Sequence, residues 1–262
     1  MSERALISAA RTQGDVIGAL ILRELHTRFG RENIGYLWIF AEPMLLAAAV
    51  ALLHAGQHLP LSGNIRPVPF AISGYALFML FRSTVSRAET LLEANRPLLH
   101  HRQVTLFDML AARALLEVAS IAAVLVVLLG GAWVLGLSEV PADFVLVAAA
   151  LLLVGWFSFA LSMLVCALGH ESPLVGRLVH PFLYLSMPLS GAFFAMAWLP
   201  ADWRALIQWF PLVPMFELAK VGMFAGYPDD YADIGYALGW CVGLTLLGLA
   251  ALRLVRRRVQ LV

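Results

Sequence analysis

Six apolar stretches of helical length govern what this chain can become. In a lipid core every backbone N–H and C=O must be bonded within the protein, which restricts spanning structures to helices and closed barrels. The stretches fall near residues 35–53, 68–85, 110–137, 144–168, 179–198 and 234–255. Each approaches the roughly 20 residues that a helix needs to cross the hydrocarbon. Arg82 interrupts the second, and the fifth contains Pro181 and Pro188, which a lipid-embedded helix tolerates as kinks when neighbours satisfy the freed carbonyls. Composition agrees: 61% of residues are hydrophobic, 13% are charged and mean hydropathy is +0.83. A soluble protein covers its surface with roughly twice that share of charge, so a water-soluble enzyme is excluded.

The placement of the basic residues orients the spans. With both termini cytoplasmic, fifteen of the eighteen Lys and Arg residues lie inside, in groups around Arg4–Arg31, Arg82–Arg113, Arg177 and Arg253–Arg258. Only Arg66, Arg204 and Lys220 lie outside, where Glu139, Asp143, Asp202, Glu217, Asp229, Asp230 and Asp233 collect. The net charge of +1 gives no footprint for nucleic acid, and none is expected as a partner. The N-terminus does not read as a cleaved signal, because Arg23, Glu24, His26 and Arg28 break its short apolar run.

The expected organisation is an all-α integral membrane protein with three parts. Residues 1–34 form a cytoplasmic tail and an amphipathic helix lying in the inner interface, with Glu24 and Arg28 as an i,i+4 pair. Residues 35–255 form six transmembrane helices, and residues 256–262 a basic cytoplasmic tail at the anionic leaflet. Within the membrane domain, loop 86–108 breaks at Asn95, Arg96 and Pro97 and reopens as a short basic helix. The outer loop 199–233 is too long for a plain connection. Its apolar stretch 211–224, carrying Glu217 and Lys220, is too short to span and fits a re-entrant hairpin.

Few motifs carry chemistry. The sole lysine, Lys220, follows Phe216, Glu217, Leu218 and Ala219 rather than a glycine-rich turn, so no phosphate-cradling loop exists and nucleotide energy must come from another chain. The seven His are scattered, and Cys166 and Cys241 both lie in apolar runs, so no metal site or disulfide framework is expected. Gly235, Gly239 and Gly243 share one face of the last span and are read as intramolecular packing in preference to a subunit interface. Glu42, inside the first span, is read as a local helix-break partner rather than a proton relay with Glu117. Aromatics at span ends, among them Trp38, Tyr75 and Tyr184, fit either an interfacial belt or a carbohydrate track.

The segment RELHTRFGRENIGYLWIFAEP (residues 23–43) resembles the amphipathic opening and first span of type-2 ABC polysaccharide export permeases, above all the KpsM-type capsular polysaccharide permeases. NRPLLHHRQVTLFDMLAARALLE (95–117) resembles the coupling-helix region of that family, and WFPLVPMFELAKVGMF (209–224) its re-entrant periplasmic segment. The family more often has Asn where this chain has Phe210 and Arg where Lys220 stands.

The resemblance implies a second copy of the chain and two copies of a cytoplasmic ABC ATPase that binds ATP and Mg, with no cofactor and no catalytic site in this chain. It implies export of a lipid-linked polysaccharide from the bacterial inner membrane through a periplasmic co-polymerase or adaptor and an outer-membrane export protein. Permeases for O-antigen or teichoic acid, or for drugs and small lipids, share the architecture. Expected ATPase-coupling residues are Arg23, Glu24, Arg28 and Arg31 on the interface helix, with Glu93, Arg96, Leu98, His100, His101 and Arg102 on the loop. Along the substrate path the expectation falls on Trp38, Tyr75, Arg82 and Tyr184.

Overall fold

The structure is a computed structural model that describes residues 3–29, 45, 49, 65–95 and 104–259. Among these, regular structure is entirely helical. A long helix α1 (Glu3–Phe29) precedes α2 (Pro67–Ser86), the single turn α3 (Leu91–Ala94), α4 (Leu106–Val134), α5 (Phe144–Glu171) and α6 (Pro173–Leu189). A short 3₁₀ turn (Met196–Trp198), α7 (Ala201–Ile207), α8 (Val213–Met223) and α9 (Ile234–Val259) complete the chain. Four of these helices are long and apolar enough to cross a membrane: Pro67–Ser86, Leu106–Val134, Phe144–Glu171 and Ile234–Val255.

Local sequence sets the helix starts. Thr105 and Asp108 form a reciprocal cap at α4: the Thr105 hydroxyl accepts from the Asp108 amide at 3.2 Å while the Asp108 carboxylate accepts from the Thr105 amide at 3.0 Å. Asp143 caps α5 by accepting from the amides of Val145 and Leu146. Prolines open α2 and α6, where the missing N–H costs no helical bond. Ser172, extended at φ −143° as a residue before proline should be, is the only residue separating α5 from α6.

α2 is the hub. It packs against α4, α5, α6 and α8, and its face from Pro69 to Phe78 is buried without a break. Phe78, Phe81 and Phe157 stack in series, with ring centroids 6.0 and 6.1 Å apart. Lipid tails are as apolar as these side chains, so close packing rather than removal from water holds such helices together. That role explains why the second span has the weakest hydropathy of the four, 1.4 against 1.9–2.5. Protein, not lipid, surrounds it. Gly74 lets the backbone at Ala192 lie directly on α2, in a place a Cβ would occupy.

Several sequence expectations change. The fifth segment is a 17-residue helix that ends at Leu189 instead of continuing to Trp198. Gly191 (φ 84°) turns the chain there, and residues 190–196 fold back into the core, held by the carbonyl contact with α2 and by the buried group at Glu217 described below. α1, expected as an interface helix, begins at Glu3 and packs against α4. No atom lies within 4 Å of a Cβ built at Gly239 or Gly243, so this stripe does not carry the expected packing among the described residues. Gly248 does, meeting Met163 of α5. The first span, with Glu42, lies outside the described residues apart from helical Leu45 and Ala49.

Candidate functional site

Three groups stand out: one at one end of the bundle, one between α2 and α6, and one at the other end. The first lies on the described residues that flank segment 96–103. α1 grips the stem before it and the stem after it: Arg23 donates to the Asn95 side-chain oxygen at 2.6 Å, and Gln13 donates to the Asp108 carboxylate at 3.0 Å. Asn95 is buried and donates in turn to the Leu91 carbonyl, so α3 is locked into the same contact. Glu24 of α1 pairs with Arg113 of α4 at 3.2 Å, and Arg113 also donates to the Arg87 carbonyl. Arg87 and Ser83 both donate to the buried Glu117 carboxylate at 3.1 Å. The bonds are charge-assisted and largely sheltered, the setting in which such contacts hold most strongly. These contacts tie α1, α2, α3 and α4 together at the described residues that flank segment 96–103.

Of the expected coupling residues, Arg23 and Glu24 join this network. Arg28 lies in the last turn of α1 and Glu93 in α3. Arg31, Arg96, Leu98, His100, His101 and Arg102 lie outside the described residues, as does Trp38. Gln13 and Asp108 were not singled out from the sequence as contact residues, and Asn95 and Arg113 entered only as a helix break and an inside charge. Their contacts join positions up to 95 residues apart, and no local spacing records them.

The second group unites two expected path residues. Arg82 of α2 lies over the Tyr184 ring of α6, 4.9 Å from its centroid, and donates to the Tyr184 hydroxyl at 3.1 Å. Among the described residues Arg66, Arg87 and Arg113 each meet a carboxylate, whereas Arg82 meets the Tyr184 phenol and no carboxylate. Tyr184 is 61% exposed, and Arg177 and His180 extend the same exposed side of α6 towards its N-terminus. His180 also lies 3.9 Å from Glu89. Such an aromatic and cationic strip is costly against hydrocarbon and calls for water, an anion or protein. Tyr75 is instead buried, 4% exposed.

The third group sits inside the 199–233 region. Glu217 and Lys220 of α8, both nearly inaccessible, pair at 2.6 Å. Lys220 also donates to the Phe194 carbonyl, and Glu217 accepts from the Met196 amide and the Tyr227 hydroxyl. Burial, reinforced by the Glu217 charge, raises the Tyr227 pKa well above the ordinary tyrosine range and keeps it a donor. One ion pair thus ties the chain after α6, the short helix α8 and the loop before α9. The i,i+3 spacing of Glu217 and Lys220 was the only sequence signal for it.

Comparison with known proteins places this arrangement. The chain is 31% identical over 248 residues to the capsule polysaccharide export inner-membrane protein BexB of Haemophilus influenzae, covering 95% of this chain and 94% of that protein. It is 32% identical over 260 residues to the capsule polysaccharide export inner-membrane protein CtrC of Neisseria meningitidis serogroup A, covering 99% and 98%. Identity to the polysialic acid transport protein KpsM of Escherichia coli is 28% over 247 residues, covering 94% and 95%. The ABC-2 type transporter family matches residues 15–224, a range that takes in α1 from Asp15 onward, the hub helix and the buried Glu217–Lys220 pair, and the chain belongs to that family of membrane permeases.

Proposed function

We propose that this chain is the permease of an ATP-driven exporter that carries a lipid-linked capsular polysaccharide across the bacterial inner membrane. The observation that carries the reading is the grip of α1 on both stems of segment 96–103, in a chain that matches capsule export proteins nearly end to end. A soluble motor pushing on that segment meets three helices at once.

In this reading the chain has no catalytic site, and ATP and Mg belong to two copies of a cytoplasmic ABC ATPase working under two copies of the permease. Residues 35–255 form six spans: the segment 35–53, then α2, α4, α5, α6 and α9, with both termini cytoplasmic. Residues 1–34 and 256–262 stay on the cytoplasmic side, loop 86–108 receives the ATPase, and residues 199–233 form the periplasmic hairpin that closes the exit. The residues that transmit the stroke are Arg23, Glu24, Arg28, Arg31, Glu93, Arg96, Leu98, His100, His101 and Arg102. Arg82 and Tyr184, with Trp38 and with Tyr75 behind them, form the substrate path. A glycan held tightly at every sugar cannot slide, so a few aromatic and cationic contacts suffice. A periplasmic adaptor and an outer-membrane protein carry the polymer onward.

Cysteines placed singly at positions 97–102 and on the co-expressed ATPase test the reading. A nucleotide-dependent crosslink is expected. Its absence under every nucleotide condition overturns the coupling assignment, and loss of surface O-antigen rather than capsule on deletion of the gene reassigns the cargo.

A further inference from the structure

At the end of the bundle opposite α1, a cleft of about 200 Å³ opens between the turn after α7 and the first turn of α9. Its walls are aromatic. Trp209 and Tyr236 line it and meet edge to face with centroids 6.2 Å apart, while Trp240, outside the lining, meets Tyr236 in the same way at 6.4 Å. The Tyr236 hydroxyl donates to the Trp209 carbonyl at 2.6 Å, which fixes the corner between the rings. Trp209 nevertheless stays 65% exposed, and its indole N–H has no partner among the described residues. Asp230, Asp233 and the Gln208 amide stand on the polar side. One Asp233 oxygen caps α9 through the Tyr236 amide, whereas Asp230 is unpaired among the described residues.

We infer that this cleft binds one neutral sugar ring of the exported glycan at the outer face, an inference that rests on the export reading above. Aromatic faces offer C–H stacking surface, and carboxylates accept from vicinal hydroxyls without needing an ionic partner. The volume lies below the ~300–1,000 Å³ of pockets for drug-sized ligands, which suits one ring at a time. Charge selects further. The two carboxylates in the lining, Asp230 and Asp233, repel uronic and sialic acids. A neutral polyol meets no such repulsion. Contact with neutral residues and repulsion of charged ones would let a mixed polymer dwell and then leave.

The test uses the full chain in phosphatidylcholine nanodiscs and saturation-transfer NMR, with maltotriose as neutral probe and trigalacturonate as anionic probe. Maltotriose should receive saturation, and Trp209→Ala should weaken its binding about threefold to tenfold, the worth of one aromatic contact. Asp230→Asn, on an exposed loop where folding is not at stake, should raise trigalacturonate binding towards that of maltotriose. Equal binding of the two probes by the unaltered protein, or no change in either variant, overturns the site. Normal capsule on cells together with no maltotriose binding removes this cleft and leaves the export reading standing. Maltotriose binding with no effect of gene deletion on any surface polysaccharide removes the export reading instead.

Discussion

Glu217 and Lys220 stand 2.6 Å apart with almost no access to water; both bond the backbone at residues 194–196, and Glu217 also accepts from Tyr227. A buried pair of this kind is not itself a large source of stability, but breaking it leaves an uncompensated charge and costs about 3–5 kcal/mol. Glu217→Ala should therefore lower the melting temperature of the detergent-purified protein sharply, whereas the double change Glu217→Gln with Lys220→Met should recover most of the loss. Full stability in Glu217→Ala, followed by fluorescence-detected size exclusion after heating, contradicts the assignment. Arg82 presents the opposite case, a cation at the side of α2 that meets a phenol and no carboxylate among the described residues. Arg82→Ala is expected to leave assembly and basal ATPase of the complex intact and to reduce surface polysaccharide at least tenfold. Arg82→Lys should restore it only in part, since an ammonium cannot reproduce a planar guanidinium on the ring. Normal export in Arg82→Ala removes the residue from the path.

Among the elements, α1 does more than rest on a membrane surface. Its contacts alternate along the helix between the two stems of segment 96–103, Gln13 reaching Asp108 and Arg23 reaching Asn95, with Glu24 fastening it to Arg113. Removing one charge-assisted bond of this kind costs about 1.5–3 kcal/mol locally, too little to unfold the chain but enough to loosen the linkage. Arg23→Ala should thus give a complex that still hydrolyses ATP while exporting several-fold less, measured as polysaccharide per ATP in the same membranes. The exchange Glu24→Arg with Arg113→Glu should work better than either single change. If both singles couple normally, α1 is only an anchor. α6 and α8 show a different lesson. The sequence made 179–198 one span, but a 17-residue helix rises only about 26 Å, and the chain beyond Leu189 is drawn back to α2 and α8.

For the molecule as a whole, the proposed orientation yields a direct measurement. Cysteines at Ser2 and Gln260 should react with an impermeant maleimide only in inverted vesicles, and cysteines at Asn64 and Asp230 only in right-side-out cells; periplasmic labelling of either terminus defeats the six-span arrangement. The helical class and four of the spans were legible in the sequence, because a lipid core forces long apolar runs and internally bonded backbone regardless of neighbours. The caps at Thr105 and Asp143 were not read from the sequence, which began the third span at 110, although a cap needs only its own first turn. Arg82 and Tyr184 stood out one at a time, as polar groups in costly places, but nothing local said that they touch. The tertiary structure alone decided that pairing, the burial of Tyr75, the clamp of α1 on residues 95 and 108, and the closing of the chain around Glu217. These depend on which helix lies beside which, and between apolar helices in lipid that choice rests on shape fit and a few buried hydrogen bonds, which leave no periodic trace along the chain.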